Sequence, residues 1–138
     1  MRMGRSLPRL VERLRRSFAW IEASELKRRL DHGEAVTVVD VRGRDEFVGP
    51  LGHIATARNI PVAELESRLG ELAGLEREPV VLVCRTDKRS AMAARTLRAF
   101  GFTQVNVLRR GMEQWNETGL PVDSSARSYR RIPQSMED

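Results

Sequence analysis

Cysteine is almost absent from this chain: its 138 residues include one, Cys84. A single thiol can form no internal disulfide, which suits a reducing compartment and sets the cytoplasm as the expected location. Histidine is nearly as scarce. Two separated imidazoles, His32 and His53, and one thiol make no legible metal site, and no cofactor is called for. No apolar run approaches the roughly 20 residues that span a bilayer, and no internal repeat is present. With 41% hydrophobic and 31% charged residues, the chain has the composition of one soluble globular domain large enough to bury a core.

Positive charge is present but unevenly spread. The net charge of +5 belongs to residues 1–19, where Arg2, Arg5, Arg9, Arg13, Arg15 and Arg16 face only Glu12. The rest of the chain holds equal numbers of basic and acidic residues. The folded body therefore offers no general basic face for nucleic acid. Within the arm, Leu7, Leu10, Val11, Leu14 and Phe18 fall at helical spacing with arginines on other faces, which predicts a short basic amphipathic helix. Such a helix can contact a protein partner or a membrane surface, or pack on its own domain. Residues 123–138 have few apolar positions and read as a polar tail with little fixed structure.

Between these ends, over residues 20–122, strands and helices alternate. Ser24 to Asp31 reads as a helix closed near Gly33, and Val36 to Val39 as a buried strand ending at Asp40. Val62 to Leu69 reads as a helix, Val80 to Val83 as a buried strand, and Ser90 to Leu97 as a helix. A strand around Val105 to Leu108 and a helix from Met112 to about Glu117 follow. This order predicts an α/β fold with a mostly parallel sheet and helices on both faces. In such sheets ligands lie beyond the carboxyl ends of the strands. Asp40 and Cys84 each end a buried strand, so both can face one crevice.

Cys84 opens the turn from the Val80 strand into the following helix. The first amides of a helix lack intrahelical acceptors and carry the positive end of its dipole, which makes an anion seat. Arg85, Lys88 and Arg89 lie within the next five positions, and cations beside a helix start favour the reactive thiolate. A free cysteine can also be plain filling at a strand end; an inert thiol, however, needs no anion-binding neighbours.

Four segments carry a resemblance to the single-domain rhodaneses. They are Asp40-Val41-Arg42 with Glu46-Phe47, Gly52-His53-Ile54 through Ala57-Arg58-Asn59-Ile60-Pro61, Cys84-Arg85-Thr86-Asp87-Lys88-Arg89-Ser90, and Gly111-Met112, Trp115 and Gly119-Leu120-Pro121-Val122. The resemblance covers about Trp20 to Val122. It departs at Ala55-Thr56, where the family usually has Pro-Gly, and at Asp87, often Gly in the family. It implies a rhodanese-like fold with a five-stranded sheet, and a sulfurtransferase that carries sulfur as a Cys84 persulfide. Thiosulfate or a similar small anionic donor would load the thiolate, and a thiol or cyanide would remove the sulfur.

In that reading Cys84 is catalytic and Arg85, Thr86, Asp87, Lys88 and Arg89 bind the donor. Asp40, Arg42 and Ser90 orient the loop. Arg89 has two candidate roles, holding the donor or forming an ion pair with Asp40. Asp87 is expected to point outward or to pair with Lys88 or Arg85, since a carboxylate beside the donor would repel it. Four residues separate Cys84 from Arg89, one fewer than in Cys-dependent phosphatases, which favours sulfur over phosphate. Two other readings stay open: a regulatory module or carrier handing persulfide sulfur to a protein, and a single-cysteine redox sensor. His53 reads as a hydrogen-bonded structural residue, His32 as a helix C-cap, and Trp20, Trp115 and Phe100 as core or groove-edge aromatics.

Overall fold

The computed structural model describes residues 17–126, so most of the amphipathic helix expected in residues 1–19 and most of the tail lie outside the described residues. The elements are β1 (Ala19–Ile21), α1 (Ala23–Asp31), β2 (Thr37–Asp40), α2 (Arg44–Phe47) and β3 (Arg58–Asn59). Two 3-10 segments follow (Val62–Glu64 and Glu66–Leu72), then β4 (Val80–Val83), α3 (Lys88–Ala99), β5 (Val105–Leu108) and α4 (Gly111–Glu117). The five strands form one sheet in the order β1-β5-β4-β2-β3, with every neighbouring pair parallel.

β4 runs through the middle, and its continuous apolar sequence follows from that place: a central parallel strand is covered on both faces. Its side chains alternate between two layers. Val80 and Leu82 join Val39, Val107 and the α3 residues Ala93, Ala94 and Leu97 on one face. Val81 and Val83 join Val38, Leu26 of α1 and Met112 and Trp115 of α4 on the other. Each fully buried Val or Leu contributes roughly 1.5–3 kcal/mol against exposure. The register sets Asp40 beside Val83, so the ends of β2 and β4 come level and their following loops meet.

Several local expectations change. The helix expected over Val62 to Leu69 is two 3-10 segments with a kink at Arg68 (φ −113°, ψ 17°). There the Arg68 guanidinium reaches Glu64, Glu71 and the Asn59 carbonyl, and Leu65 and Leu72 are drawn into the core; these tertiary anchors override helical propensity. Phe18 and Ala19, read with the arm, sit with the sheet: Ala19 begins β1, and Phe18 packs on the α3-side core with the Arg95 guanidinium 5.7 Å from its ring centroid. Asp123, read with the tail, forms an antiparallel bridge with His53. Trp115 is buried, with Nε1 donating to the Pro121 carbonyl at 2.9 Å, whereas Trp20 and Phe100 are exposed. His32 closes α1, its Nδ1 2.7 Å from the Arg28 carbonyl oxygen.

Candidate functional site around Cys84

Cys84 follows β4 directly and is 1% exposed. The chain then curls so that Ser90, in the first turn of α3, returns to the sulfur. The Ser90 amide donates to Sγ at 3.3 Å, and Ser90 Oγ lies 3.3 Å from Sγ while donating to the Asp87 carbonyl at 3.1 Å. Ser90 is thus buried against the thiol.

The loop is held from outside by α4. The Met112 amide donates to the Cys84 carbonyl at 2.9 Å and the Glu113 amide to the Arg85 carbonyl at 3.0 Å. In a trans peptide the N–H points opposite to the C=O, so the amides of Arg85 and Thr86 are turned away from α4. Gly111 makes this approach possible. Its φ is +49°, and a Cβ there would lie 2.3, 2.4 and 2.7 Å from the carbonyl oxygens of Cys84, Thr86 and Arg85. No other residue type fits this contact without displacing the loop.

Asp40 and Arg42 form a fully buried ion pair beside this loop. Arg42 donates through Nε to Oδ1 at 2.9 Å and through Nη2 to Oδ2 at 2.7 Å, and its backbone amide also reaches Oδ1. Nη2 further donates to the Gly52 carbonyl at 2.7 Å, and the Asn59 amide nitrogen spans the carbonyls of Asp40 and Arg42. These bonds replace the water both charges lose on burial. His53 lies under the same segment, stacked on Phe47 at 3.6 Å between ring centroids with Nδ1 2.6 Å from the Phe47 carbonyl oxygen.

Two of the three loop cations are already paired. Arg89 bonds Glu46 of α2 in parallel, Nη1 to Oε1 at 2.7 Å and Nη2 to Oε2 at 2.9 Å. Arg85 bonds Glu113 of α4, Nε to Oε2 at 2.7 Å. The Arg89 guanidinium, helped by the Gly43 amide, holds the Glu46 carboxyl well below its ordinary 4.5, at about 2. Reciprocally, Glu46 raises Arg89, and the negative charges of Cys84 and Asp40 add to the effect. Of the two candidate roles of Arg89, the ion pair with Asp40 does not form: Asp40 is held by Arg42, and both terminal nitrogens of Arg89 are turned to Glu46. Nor does Asp87 pair with Lys88 or Arg85. It is half-buried at the N-cap of α3, and neither Asp87 nor Lys88 has an ion pair among the described residues. Thr86 and Lys88 are exposed on the loop.

A cleft of about 280 Å³ opens beside these pairs, lined by Arg42, Glu46, Pro50, Leu51, Arg85 and Glu113. Sequence reasoning assigned no role to Glu46, Glu113 or Gly111. Glu46 and Gly111 stood in quoted motifs, but Glu113 carried no signal, lying 28 residues beyond the arginine it meets. Among the described residues no cluster of His, Cys, Asp and Glu could hold a metal ion, and no helix is long and apolar enough to cross a membrane.

Comparison with known proteins agrees with this geometry. The Rhodanese-like domain family matches residues 22–118. The HTH-type transcriptional regulator Rv0324 of Mycobacterium tuberculosis is 44% identical over 108 residues, covering 77% of this chain and 45% of the regulator. A sulfurtransferase of Allochromatium vinosum is 32% identical over 102 residues, covering 74% of this chain and 92% of that protein. The chain spans about half of the length of the first curated relatives it matches. Among solved structures, a rhodanese-related protein of Thermoplasma volcanium superposes with a TM-score of 0.68 at 31% identity, covering 78% of this chain and all of the other. With that match over most of its sheet and its cysteine loop, the chain belongs to the rhodanese-like family.

Proposed function

We propose that this protein is a sulfurtransferase that carries sulfane sulfur as a persulfide on Cys84. The observation that carries the reading is the setting of Sγ: it directly follows the central strand, accepts the Ser90 amide, and lies at the base of a loop whose Cys84 and Arg85 carbonyls are taken by α4. In the first half-reaction the Cys84 thiolate attacks the outer sulfur of the donor. A bond forms between Sγ and that sulfur, the donor's S–S bond breaks, and the leaving group departs with the electron pair, as sulfite when the donor is thiosulfate. In the second, a thiol or cyanide takes the outer sulfur and the Cys84 thiolate returns. Dividing the transfer in two is covalent catalysis.

Amides of the loop and of the first turn of α3 stabilise the negative sulfur in both halves. Lys88 and the other loop residues, Arg85, Thr86, Asp87 and Arg89, surround the donor. Asp40, Arg42 and Ser90 fix the loop from beneath. A reducing compartment such as the cytoplasm keeps the lone thiol available between cycles.

The test is intact-mass measurement of the reduced protein before and after exposure to thiosulfate or benzenethiosulfonate, beside Cys84→Ser. A gain of one sulfur by the wild type alone is the expected result. No gain from either donor, in a folded protein with a titratable thiol, overturns the proposal.

A further inference from the structure

We propose that Glu113 and Glu46 set the charge specificity of the site, so that it takes sulfane sulfur from singly charged organic donors in preference to dianionic thiosulfate. This rests on the sulfur-transfer reading and narrows its substrate class.

The sequence presents three cations around Cys84, an arrangement suited to a dianion. In the fold, carboxylates from α2 and α4 meet two of them: Glu46 holds both terminal nitrogens of Arg89, and Glu113 holds Nε of Arg85. Asp87, in the same loop, stands at the N-cap of α3. Three carboxylates therefore balance Arg85, Lys88 and Arg89, and the neighbouring Arg42 is matched by Asp40. Before a donor arrives the site has no net positive charge, and the Cys84 thiolate makes it negative.

Thiosulfate brings two charges to that site and a thiosulfonate brings one, with the same reacting S–S bond. For R–SO2–S⁻ the thiolate attacks the terminal sulfur, the S–S bond breaks, and the sulfinate R–SO2⁻ leaves with the electron pair, so the products carry the same total charge as the reactants. The organic group has a place to lie. The cleft beside the loop has Pro50 and the half-buried Leu51 as its apolar wall, with Glu46 and Glu113 among its other lining residues. A carboxylate at the cleft also disfavours a second negative charge on the donor, since like charges at such a surface are only partly screened within the Debye length of about 8 Å at physiological salt.

The measurement is the second-order rate of Cys84 persulfide formation with thiosulfate and with benzenethiosulfonate, in the wild type, Glu113→Gln and Glu113→Gln with Arg85→Ala. Arg85 and Glu113 have 63% and 38% of their side-chain surface exposed, so the substitutions leave the core intact, which circular dichroism verifies. Taking the ratio of the two rates cancels general damage to the thiol. Glu113→Gln frees Arg85 and raises the thiosulfate-to-benzenethiosulfonate ratio roughly 3- to 10-fold, the scale of one partly exposed charge contact acting on a doubly charged donor. Adding Arg85→Ala returns the ratio to within about twofold of the wild type. Wild-type loading by thiosulfate shows no steep fall as salt is added.

An unchanged ratio in Glu113→Gln, or a wild-type thiosulfate rate that collapses with salt as at a cationic site, overturns the charge assignment while persulfide formation itself stands. Failure of both donors to load Cys84 overturns the sulfur-transfer reading and this inference with it.

Discussion

Arg89 and Glu46, 43 residues apart in sequence, meet in a two-pronged ion pair that joins the cysteine loop to α2. Of the two roles the sequence leaves open for Arg89, holding the donor or pairing with Asp40, the second is replaced by this pair. Its consequence is a carboxylate that stays ionised at any ordinary pH against the cysteine loop.

Acid stability should report this pair. Glu46 has its folded value depressed from 4.5 to about 2, chiefly by the Arg89 hydrogen bonds. A depressed carboxylate stabilises the fold above its unfolded value, and that stabilisation is lost as pH falls from about 4.5 through 2. Wild type should therefore lose stability more steeply than Glu46→Gln over that window, the two curves converging near pH 2. Denaturant titrations at stepped pH check this, and parallel curves would remove the pair as a stabilising contact. Because more than a third of each side chain is exposed, solvent screens the effect.

Gly111→Ala should be severely destabilising. The added methyl would press on three loop carbonyl oxygens at 2.3–2.7 Å with φ at +49°, a combined steric and conformational cost of roughly 2–4 kcal/mol. A lowered thermal midpoint and a changed rate of Cys84 alkylation are the expected outcomes. A variant matching wild type in both would mean that the loop does not rest on α4 as described.

Breaking the buried pair should cost more than altering it. Asp40→Ala leaves the Arg42 guanidinium buried with only the Gly52 carbonyl, at a cost of roughly 3–5 kcal/mol. Asp40→Asn keeps an oxygen for Arg42 and should fall between wild type and Asp40→Ala in urea unfolding. Equal stability of all three proteins would contradict the burial.

Ser90→Ala removes the hydroxyl that bridges Sγ and the Asp87 carbonyl but keeps the amide donated to sulfur. Persulfide formation should slow by about 3- to 10-fold, because the single hydroxyl proton can turn from the Asp87 carbonyl to the thiolate once Cys84 is deprotonated, a hydrogen bond of about 1 kcal/mol at a buried group. Loading rates followed by mass spectrometry decide it; an unchanged rate would assign Ser90 to packing alone.

Much of the scaffold could be read from local pattern. Val80 to Val83 announce a central strand because both of its faces are covered, and the alternating elements that follow specify the parallel sheet. β1 and β3 were not read from pattern, since three and two residues carry no periodicity; the number five came from family resemblance alone. The candidate site was legible as residues but not as partners. Cys84, Arg85 and Arg89 lie in one stretch, whereas Glu46 and Glu113 come from other elements brought in by the fold, and pairings across such distances leave no local signal. Asp40 is held by Arg42, a partner two residues away on the same turn, while Arg89 is drawn to Glu46 from another element.

The two shortest strands also occupy the two rims of the sheet. A rim of two or three residues exposes few unpaired backbone groups, so it is a poor template for a strand from another molecule. Crowded copies of this protein are thereby discouraged from stacking edge to edge into fibres, and self-association is left to side-chain surfaces.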